Sequence, residues 1–275
     1  MGGSRVGGMT VKLGAHVDQE DPLAEAADRG ADLVQFFLGN PQDYKAPKLA
    51  YADGEEALKE RAAAAGVDLY VHAPYRLNVA NTNNRIRIPS RKLLQQTLDK
   101  AAEIDVKGVI VHGGHVGDED DPEAGFDNWR KCIERAELPV PLLIENTAGG
   151  ENAMARQLDR IARLWEAVQA SGNDRLENVG FCLDTCHFHA AGEELPSIVE
   201  RVLAITGRID LVHANGSRDE FGSGADRHSN FEDGHIDPAD IVAVVQAAGA
   251  PVVVETPNGD NGQKADLDYL RAHLT

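Results

Sequence analysis

Residues 179–187 read VGFCLDTCH, a short apolar run that ends at Asp184 and passes into polar residues. A continuously apolar run of this length is typical of a parallel strand that is covered on both faces. The same unit, an apolar run followed by a polar cluster and then a helical pattern, repeats along the chain. It predicts strands over 11–17, 33–38, 69–73, 108–113, 141–146, 179–185, 209–214 and 251–256.

Apolar residues at three- and four-residue steps predict helices between these strands. The clearest helix covers 152–170, where Leu158, Ile161 and Leu164 belong to one apolar stripe. A second covers 90–105, with Pro89 expected just before it. Weaker helical patterns cover 53–65, 123–136, 194–204, 238–248 and 264–273.

Eight strands with helices between them favour one α/β domain, a (β/α)₈ TIM barrel over residues 11–275. A doubly wound open sheet is the alternative. The first ten residues, MGGSRVGGMT, are rich in glycine, and we expect 1–10 to be a flexible N-terminal extension. The longest stretch without predicted secondary structure is 215–237, and loops of that length in a compact domain are usually functional.

The composition limits the functions that the chain can have. With 27 basic and 45 acidic residues, the net charge is −18, which excludes a generally basic nucleic-acid-binding protein. A local DNA groove is still allowed, because bound cations or a few arginines can invert the field there. Three cysteines cannot all pair and suit a reduced, cytoplasmic protein. No run approaches the ~18 apolar residues of a membrane span, so we expect no membrane partner.

The third to eighth predicted strands each end in a residue that can bind a metal ion. These residues are His72, His112, Glu145, Asp184, His213 and Glu255. The strands of a parallel barrel end on one rim, where the active sites of this architecture lie. Imidazoles and carboxylates without cysteine suit Zn²⁺ or Mn²⁺ better than Cu(I) or an iron–sulfur cluster. The many acidic groups of such a rim would repel one another unless cations lay between them.

Three more candidate ligands, His187, Asp226 and His228, lie in predicted loops. Nine ligands are too many for one tetrahedral site. Carboxylates can bridge two cations about 3.5–4 Å apart, an arrangement that activates water for attack on phosphorus. A single histidine or acid at a strand end is more often structural, so the prediction depends on the joint pattern. Cys182 and Cys186 are expected to be buried free thiols.

Five segments of the sequence resemble one known family. They are 72–75 (HAPY), 144–149 (IENTAG), 182–187 (CLDTCH), 222–223 (GS) and 226–228 (DRH). Together, and in this order, they resemble endonuclease IV, the xylose-isomerase-like barrel family of apurinic/apyrimidinic (AP) endonucleases. The resemblance runs from about residue 14 to the C-terminus.

The resemblance implies a barrel that holds three zinc ions, with Mn²⁺ as an alternative at one of them. The implied ligands are His72, His112 and Glu145 at the first ion, Glu145, Asp184, His213 and Glu255 at the second, and His187, Asp226 and His228 at the third. Glu145 would bridge the first two ions. All nine positions carry the residue type that the family has there.

The resemblance also implies hydrolysis of the phosphodiester 5′ to an abasic site in duplex DNA, a step of base excision repair, and trimming of blocked 3′ ends. Glu145 and Glu255 are the predicted catalytic residues. Tyr75 matches a family tyrosine that packs into the DNA at the lesion, and Arg76 and Arg227 are candidate DNA contacts. The family resemblance favours a monomer.

Three positions depart from the family pattern. Gly216 follows Asn215 where the family has an aspartate, and losing an acid that supports a ligand would weaken metal binding by about 10–100-fold. Gly113 replaces the proline of a His-Pro-Gly motif. The segment 40–42 (NPQ) lacks an arginine that penetrates the duplex in some members. The most basic stretch, 76–92, is predicted to line the DNA groove.

Two other functions remain as alternatives. A one- or two-metal sugar isomerase or epimerase of the same superfamily would need Glu145, Asp184, His213 and Glu255 but not the other five ligands. The other alternative is a non-catalytic barrel that only binds lesions or metal, in which Gly216 would explain the loss of catalysis. Three zinc ions per chain would disfavour the isomerase, and metal binding without strand cleavage would favour the non-catalytic barrel.

Overall fold

The computed structural model describes residues 4–6 and 9–274, with side chains described from Val11 onward. Its strands are β1 (Ser4–Val6), β2 (Met9–Val11), β3 (Leu13–His16), β4 (Leu33–Phe37), β5 (Asp68–His72), β6 (Gly108–His112), β7 (Leu142–Glu145), β8 (Val179–Asp184), β9 (Leu211–His213), β10 (Gly216–Ser217), β11 (His228–Ser229) and β12 (Val252–Val254). Its helices are α1 (Pro22–Arg29), α2 (Gly54–Ala65), α3 (Asn84–Glu103), α4 (Pro122–Arg135), α5 (Leu158–Gln169), α6 (Thr185–Ala191), α7 (Ile198–Thr206), α8 (Pro238–Ala248) and α9 (Gly262–His273). Single 3₁₀ turns lie at Leu176–Asn178, Leu195–Ser197, Phe231–Asp233 and Gly259–Asn261.

Eight strands within the described residues close into a barrel, in the order β3, β4, β5, β6, β7, β8, β9, β12. β12 pairs in parallel with both β9 and β3, which leaves the sheet without a free edge. The predicted (β/α)₈ barrel is therefore confirmed, and closure rules out the open doubly wound sheet. Gly14 permits close packing of β3 on β4, because a Cβ there would lie 1.8 Å from the Leu33 carbonyl oxygen.

The strand register brings the C-terminal ends of the barrel strands to one level. His112 is the partner of Glu145 across β6 and β7, and Asp184 is the partner of His213 across β8 and β9. Since side chains alternate between the two faces of a strand, the residue two positions earlier points the same way. These earlier residues form an apolar layer inside the barrel: Leu33, Tyr70, Ile110, Leu143, Cys182, Leu211 and Val253. The layer is the floor under the polar rim.

Several helix boundaries differ from the predictions. Pro89 lies inside α3, which begins at Asn84 because the Asn83 side chain accepts a hydrogen bond from the Arg85 amide and caps the helix earlier. α5 begins at Leu158 rather than 152, because the preceding residues form a loop in which Ala153 bridges to His115.

Two helices were absent from the predictions. α1 has only eight residues, little more than two turns, so its apolar spacing repeats too few times to be recognised in the sequence. α6 has seven and follows β8 directly, with Asp184 as its N-cap. The stretch 215–237 is not devoid of structure either: β10 and β11 pair antiparallel within it, and a 3₁₀ turn follows.

The predicted flexible extension at 1–10 lies partly outside the described residues, which do not include 1–3, 7 and 8. In the part that is described, the backbone of β1 pairs antiparallel with that of β2. Among the described helices, none has both the length and the apolar character that crossing a membrane requires.

Candidate metal centre

Glu145 lies at the end of β7 in the middle of the rim and is fully buried. Its Oε2 atom lies 3.3 Å from the Nε2 atoms of both His72 and His112. Its Oε1 atom lies 3.1 Å from His213 Nδ1 and 3.2 Å from His187 Nδ1. One carboxylate therefore contacts two imidazoles with each of its oxygens.

Two further carboxylates approach His213 from neighbouring strands. Glu255 Oε2 lies 3.2 Å from His213 Nδ1, and Asp184 Oδ2 lies 3.9 Å from it. Asp184 and His213 are fully buried, and Glu255 is nearly so. Three acidic side chains thus surround one imidazole nitrogen in a region that water scarcely reaches.

Asp226 and His228 reach the rim from the hairpin that β10 and β11 form. Asp226 Oδ1 lies 3.1 Å from His187 Nε2 and 3.2 Å from His228 Nε2. Both imidazole nitrogens are buried, yet neither has a hydrogen-bond partner of acceptable geometry among the described residues. Buried ring nitrogens that face a carboxylate oxygen without hydrogen bonding to it are the arrangement expected around a cation.

The structure brings all nine sequence-predicted ligands together. Among the described residues, the clusters whose ligand atoms lie within 4.8 Å of one another include His72, His112 and Glu145; Glu145, Asp184, His213 and Glu255; and His187, Asp226 and His228. A further cluster, of Asp184, Cys186 and His228, overlaps the second and third. Cys182 and Cys186 are buried and free, as predicted.

The spacing of the ligand atoms suits zinc. Zinc binds nitrogen and oxygen ligands at about 2.0–2.1 Å in a tetrahedron, whose ligand atoms are therefore about 3.3 Å apart. The closest contacts from Glu145 to His72 and His213, and from Asp226 to His187, are 3.1–3.3 Å. The ligand set of imidazoles and carboxylates also fits the metal.

Burial and charge oppose one another in the cluster. Burial raises the pKa of Asp184 above its usual range. Burial disfavours ionisation of Glu145 as well, but His213, His112 and His187 together outweigh it and hold the pKa of Glu145 well below its usual range. Burial lowers the pKa of His187, but Asp184 and Asp226 raise it well above its usual value. His187 and His213, whose pKa values both lie well above the usual value, therefore balance the carboxylates by holding protons, which divalent cations can replace.

Backbone contacts orient the imidazoles. His72 Nδ1 lies 2.7 Å from the Ala73 carbonyl oxygen, and His187 Nδ1 lies 2.8 Å from the Asn146 carbonyl oxygen. These bonds direct both Nε2 atoms into the cluster. Asp184 Oδ1 accepts a hydrogen bond of 2.7 Å from the His187 amide, so the cap of α6 also fixes the spacing between the two predicted ligands.

Asn215, rather than residue 216, supports the acidic ligands. The Asn215 amide donates to Asp184 Oδ2 at 2.7 Å, and its oxygen accepts from the Glu255 backbone amide at 2.8 Å. Gly216 lies in β10, where a Cβ would be 2.7 Å from Ser229 Oγ. An aspartate does not fit at 216 in this backbone without displacing β11.

Gln35 and Asn215 belong to the rim but were not predicted as site residues. Gln35 is fully buried and contacts both His213 and Glu255. The available signal was its position two residues after Leu33, in the inward phase of the strand. A search for histidine and acidic ligands does not select a glutamine. His16 Nδ1 also lies at the rim, 3.6 Å from Glu255 Oε1.

Tyr75 and Arg76, predicted to contact DNA, lie on the outer rim. Tyr75 is half-exposed and packs edge-on against Phe37, with ring centroids 5.0 Å apart. The Tyr44 hydroxyl donates to the Arg76 carbonyl oxygen at 2.7 Å, and the Arg76 guanidinium lies over the Tyr44 ring. A cavity of about 410 Å³ opens between these side chains and the loop at 147–149, beside the cluster.

Arg227, Arg87 and Arg91 are engaged in contacts within the protein. Arg227 pairs with Asp219, its Nε lying 2.9 Å from Oδ2. In the stretch 76–92, Arg87 donates to the Asn81 carbonyl oxygen and Arg91 to that of Asn128. These two guanidinium groups tie the start of α3 to the loop before it and to α4, which reduces the free positive charge of that stretch.

Comparison with known proteins identifies the family. Residues 23–273 match the family described as a xylose isomerase-like TIM barrel. A "Probable endonuclease 4" of Mycobacterium tuberculosis is 56% identical over 259 residues, which cover 94% of this chain and 97% of that protein. A "Probable endonuclease 4" of Mycobacterium leprae is 53% identical over 259 residues, with the same coverage. The chain belongs to the endonuclease IV family.

Solved structures agree with membership of the endonuclease IV family. The endonuclease IV of Thermus thermophilus superposes with a TM-score of 0.79 at 26% identity, covering 96% of this chain and 98% of that one. A D-tagatose 3-epimerase-like protein superposes with a TM-score of 0.75 at 19% identity, covering 96% and 97%. The second likeness shows a shared barrel fold and carries no further conclusion.

Proposed function

We propose that this chain is a zinc-dependent AP endonuclease of base excision repair. It would hydrolyse the phosphodiester 5′ to abasic sites in duplex DNA and trim blocked 3′ ends. The central observation is that Glu145 belongs to two ligand groups at once, each of its oxygens facing different imidazoles. Relatives that are 53–56% identical along nearly the whole chain are named as endonucleases, which supports the nuclease class.

Three zinc ions are proposed, one for each ligand group, with Mn²⁺ able to replace one of them. A carboxylate shared by two groups suits a pair of cations about 3.5–4 Å apart. The third group has its own carboxylate, Asp226, and shares no proposed ligand with the other two. A sugar isomerase of this superfamily does not need the third group, so the presence of that group favours the endonuclease over the isomerase.

Bound divalent ions would supply positive charge and a water of lowered pKa for attack on phosphorus. The proposed catalytic residues, Glu145 and Glu255, would supply carboxylate oxygens that bind the ions next to that water. The burial of Glu145 and His213 keeps bulk water from the inner side of the site and strengthens the interactions there. The exposed side remains open for a phosphodiester between Tyr75 and the hairpin.

The DNA is proposed to lie across the outer rim. Tyr75 offers a half-exposed aromatic face beside the cluster, suited to the gap that a missing base leaves. Arg76 and Arg227 would contact phosphates, Arg227 by exchanging its bond with Asp219. Three zinc ions would add a charge of about +6 at this rim, against the overall −18. A cytoplasmic monomer is proposed, with the DNA substrate supporting that location.

The decisive experiment is cleavage of a duplex oligonucleotide that carries one tetrahydrofuran abasic analogue. This analogue cannot undergo β-elimination, so a nick must be hydrolytic. We expect a nick immediately 5′ to the lesion with wild-type protein and none with Glu145→Gln. Folded, zinc-loaded wild-type protein that leaves the duplex intact would refute the proposal. If that protein still binds the lesion, the non-catalytic barrel is favoured; if it epimerises a sugar, the isomerase is favoured.

A further inference from the structure

Gln35 is the inward-facing residue near the end of β4, a strand that contributes no predicted ligand. It is fully buried beside the second ligand group. Its Oε1 atom lies 2.8 Å from His213 Nε2. Its Nε2 atom donates to Glu255 Oε1 at 2.6 Å and lies 2.9 Å from His16 Nδ1. Every polar atom of this amide therefore has a partner.

The orientation of the Gln35 amide follows from chemistry. A carboxylate only accepts hydrogen bonds, so the atom 2.6 Å from Glu255 must be the NH₂ group. The amide oxygen then faces His213 Nε2, and an oxygen without a hydrogen can only accept. His213 Nε2 must therefore carry a hydrogen. Turning the amide over would place its oxygen against the Glu255 carboxylate.

The position of that hydrogen decides which His213 nitrogen is free for a metal. A neutral imidazole carries one hydrogen and one lone pair. With the hydrogen on Nε2, the lone pair lies on Nδ1, which is the atom 3.1 Å from Glu145 and 3.2 Å from Glu255. His72 and His187 differ, since their Nδ1 atoms bond backbone oxygens and their Nε2 atoms face the cluster. His213 has no such backbone partner at Nε2 among the described residues.

We propose that Gln35 is a positioning residue of the second ion site. The Glu255 carboxylate fixes the orientation of the Gln35 amide, and the amide oxygen in turn fixes the Nε2–H tautomer of His213. The same amide also holds the Glu255 carboxylate in place. The inference rests on the proposed metal centre. It concerns a strand that the ligand pattern of the sequence does not include.

The test measures zinc binding rather than activity. Removing a residue that orients ligands typically weakens metal affinity by about 10–100-fold. In Gln35→Leu, we expect one of the three zinc ions to bind about 10–100-fold more weakly, as measured by competition with a chromophoric chelator, while the other two keep their affinity. Thr97→Val, which removes a buried hydroxyl from α3, is the control and should leave all three unchanged.

A second measurement needs no variant. In zinc-loaded wild-type protein with ¹⁵N-labelled histidine, NMR should show His213 with hydrogen on Nε2 and metal on Nδ1. A hydrogen on Nδ1, or unchanged zinc affinity in Gln35→Leu, would overturn the inference. Equal weakening of all three ions would also overturn it, since that indicates a general structural role. Wild-type protein that binds no zinc would instead refute the proposed metal centre.

Discussion

Replacement of Gly216 by alanine is predicted to displace the hairpin that carries His228. Gly216 pairs with Ser229, the neighbour of His228 on β11. A Cβ at 216 would lie 2.7 Å from Ser229 Oγ, 2.8 Å from the Ser229 carbonyl oxygen and 2.9 Å from the Asn230 carbonyl oxygen. The hydroxyl can rotate away, but the two backbone oxygens cannot, so β11 has to move.

Overpacking of a buried position costs about 1–3 kcal/mol. Each kcal/mol lowers the melting temperature of a chain of this size by about 2–4 °C, so Gly216→Ala should melt roughly 2–12 °C below wild type. The displacement also moves a proposed ligand of the third ion. We expect zinc at that site to bind at least about tenfold more weakly.

Calorimetry of the metal-free protein and a zinc titration measure the two effects. Gly259→Ala is the matched control, because a Cβ at 259 has no heavy atom within 4 Å. Gly216→Asp, which restores the family residue, should be at least as destabilised as the alanine variant. The reasoning fails if Gly216→Ala melts with the Gly259→Ala control and keeps all of its zinc.

Two further predictions concern protons and DNA. Zinc affinity should fall as the pH falls, because zinc must displace protons from His187 and His213. Burial lowers the pKa values of both, but Asp184 raises that of His187, and Cys182 and Glu255 raise that of His213, in each case well above the usual value. Titrations between about pH 6 and pH 8 should show about a tenfold change per pH unit for each proton released, and a pH-independent affinity would contradict it. Tyr75→Ala should raise KM for abasic duplex by about 5–150-fold with its zinc content unchanged, since stacking on an aromatic ring contributes about 1–3 kcal/mol. Tyr75→Phe should stay near wild type, and an equal loss in both variants would assign the role to the hydroxyl.

The barrel and its ligand residues could be predicted because both follow simple rules. A continuous apolar run predicts a buried parallel strand, and closure of the barrel brings every strand end to one rim. His72 and Glu255 are 183 positions apart in the chain, yet each needed only its place at the end of a strand. Loop ligands such as Asp226 needed the family resemblance before they could be sorted into sites.

Other features depended on contacts between segments that sequence patterns do not encode. The acid missing at position 216 is an example. It was predicted to support a metal ligand, but in the structure the Asn215 side chain supports Asp184 by donating a hydrogen bond to it. Gln35 was missed because its role arises from what lies opposite its amide. The basic stretch 76–92 suggests free charge, but Arg87 donates to a carbonyl oxygen of the loop before α3 and Arg91 to one of α4.

The ligand groups differ in how firmly the chain holds them. Those on barrel strands separate only if the barrel opens. Asp226 and His228 depend instead on a hairpin of two two-residue strands, joined by residues 218–227 and closed by the Asp219–Arg227 ion pair. Such a segment can open locally at a small fraction of the free energy of global unfolding. An ion bound at the proposed third site would then exchange with solution while the protein stays folded, and the metal content of a purified sample would report the closure of one hairpin.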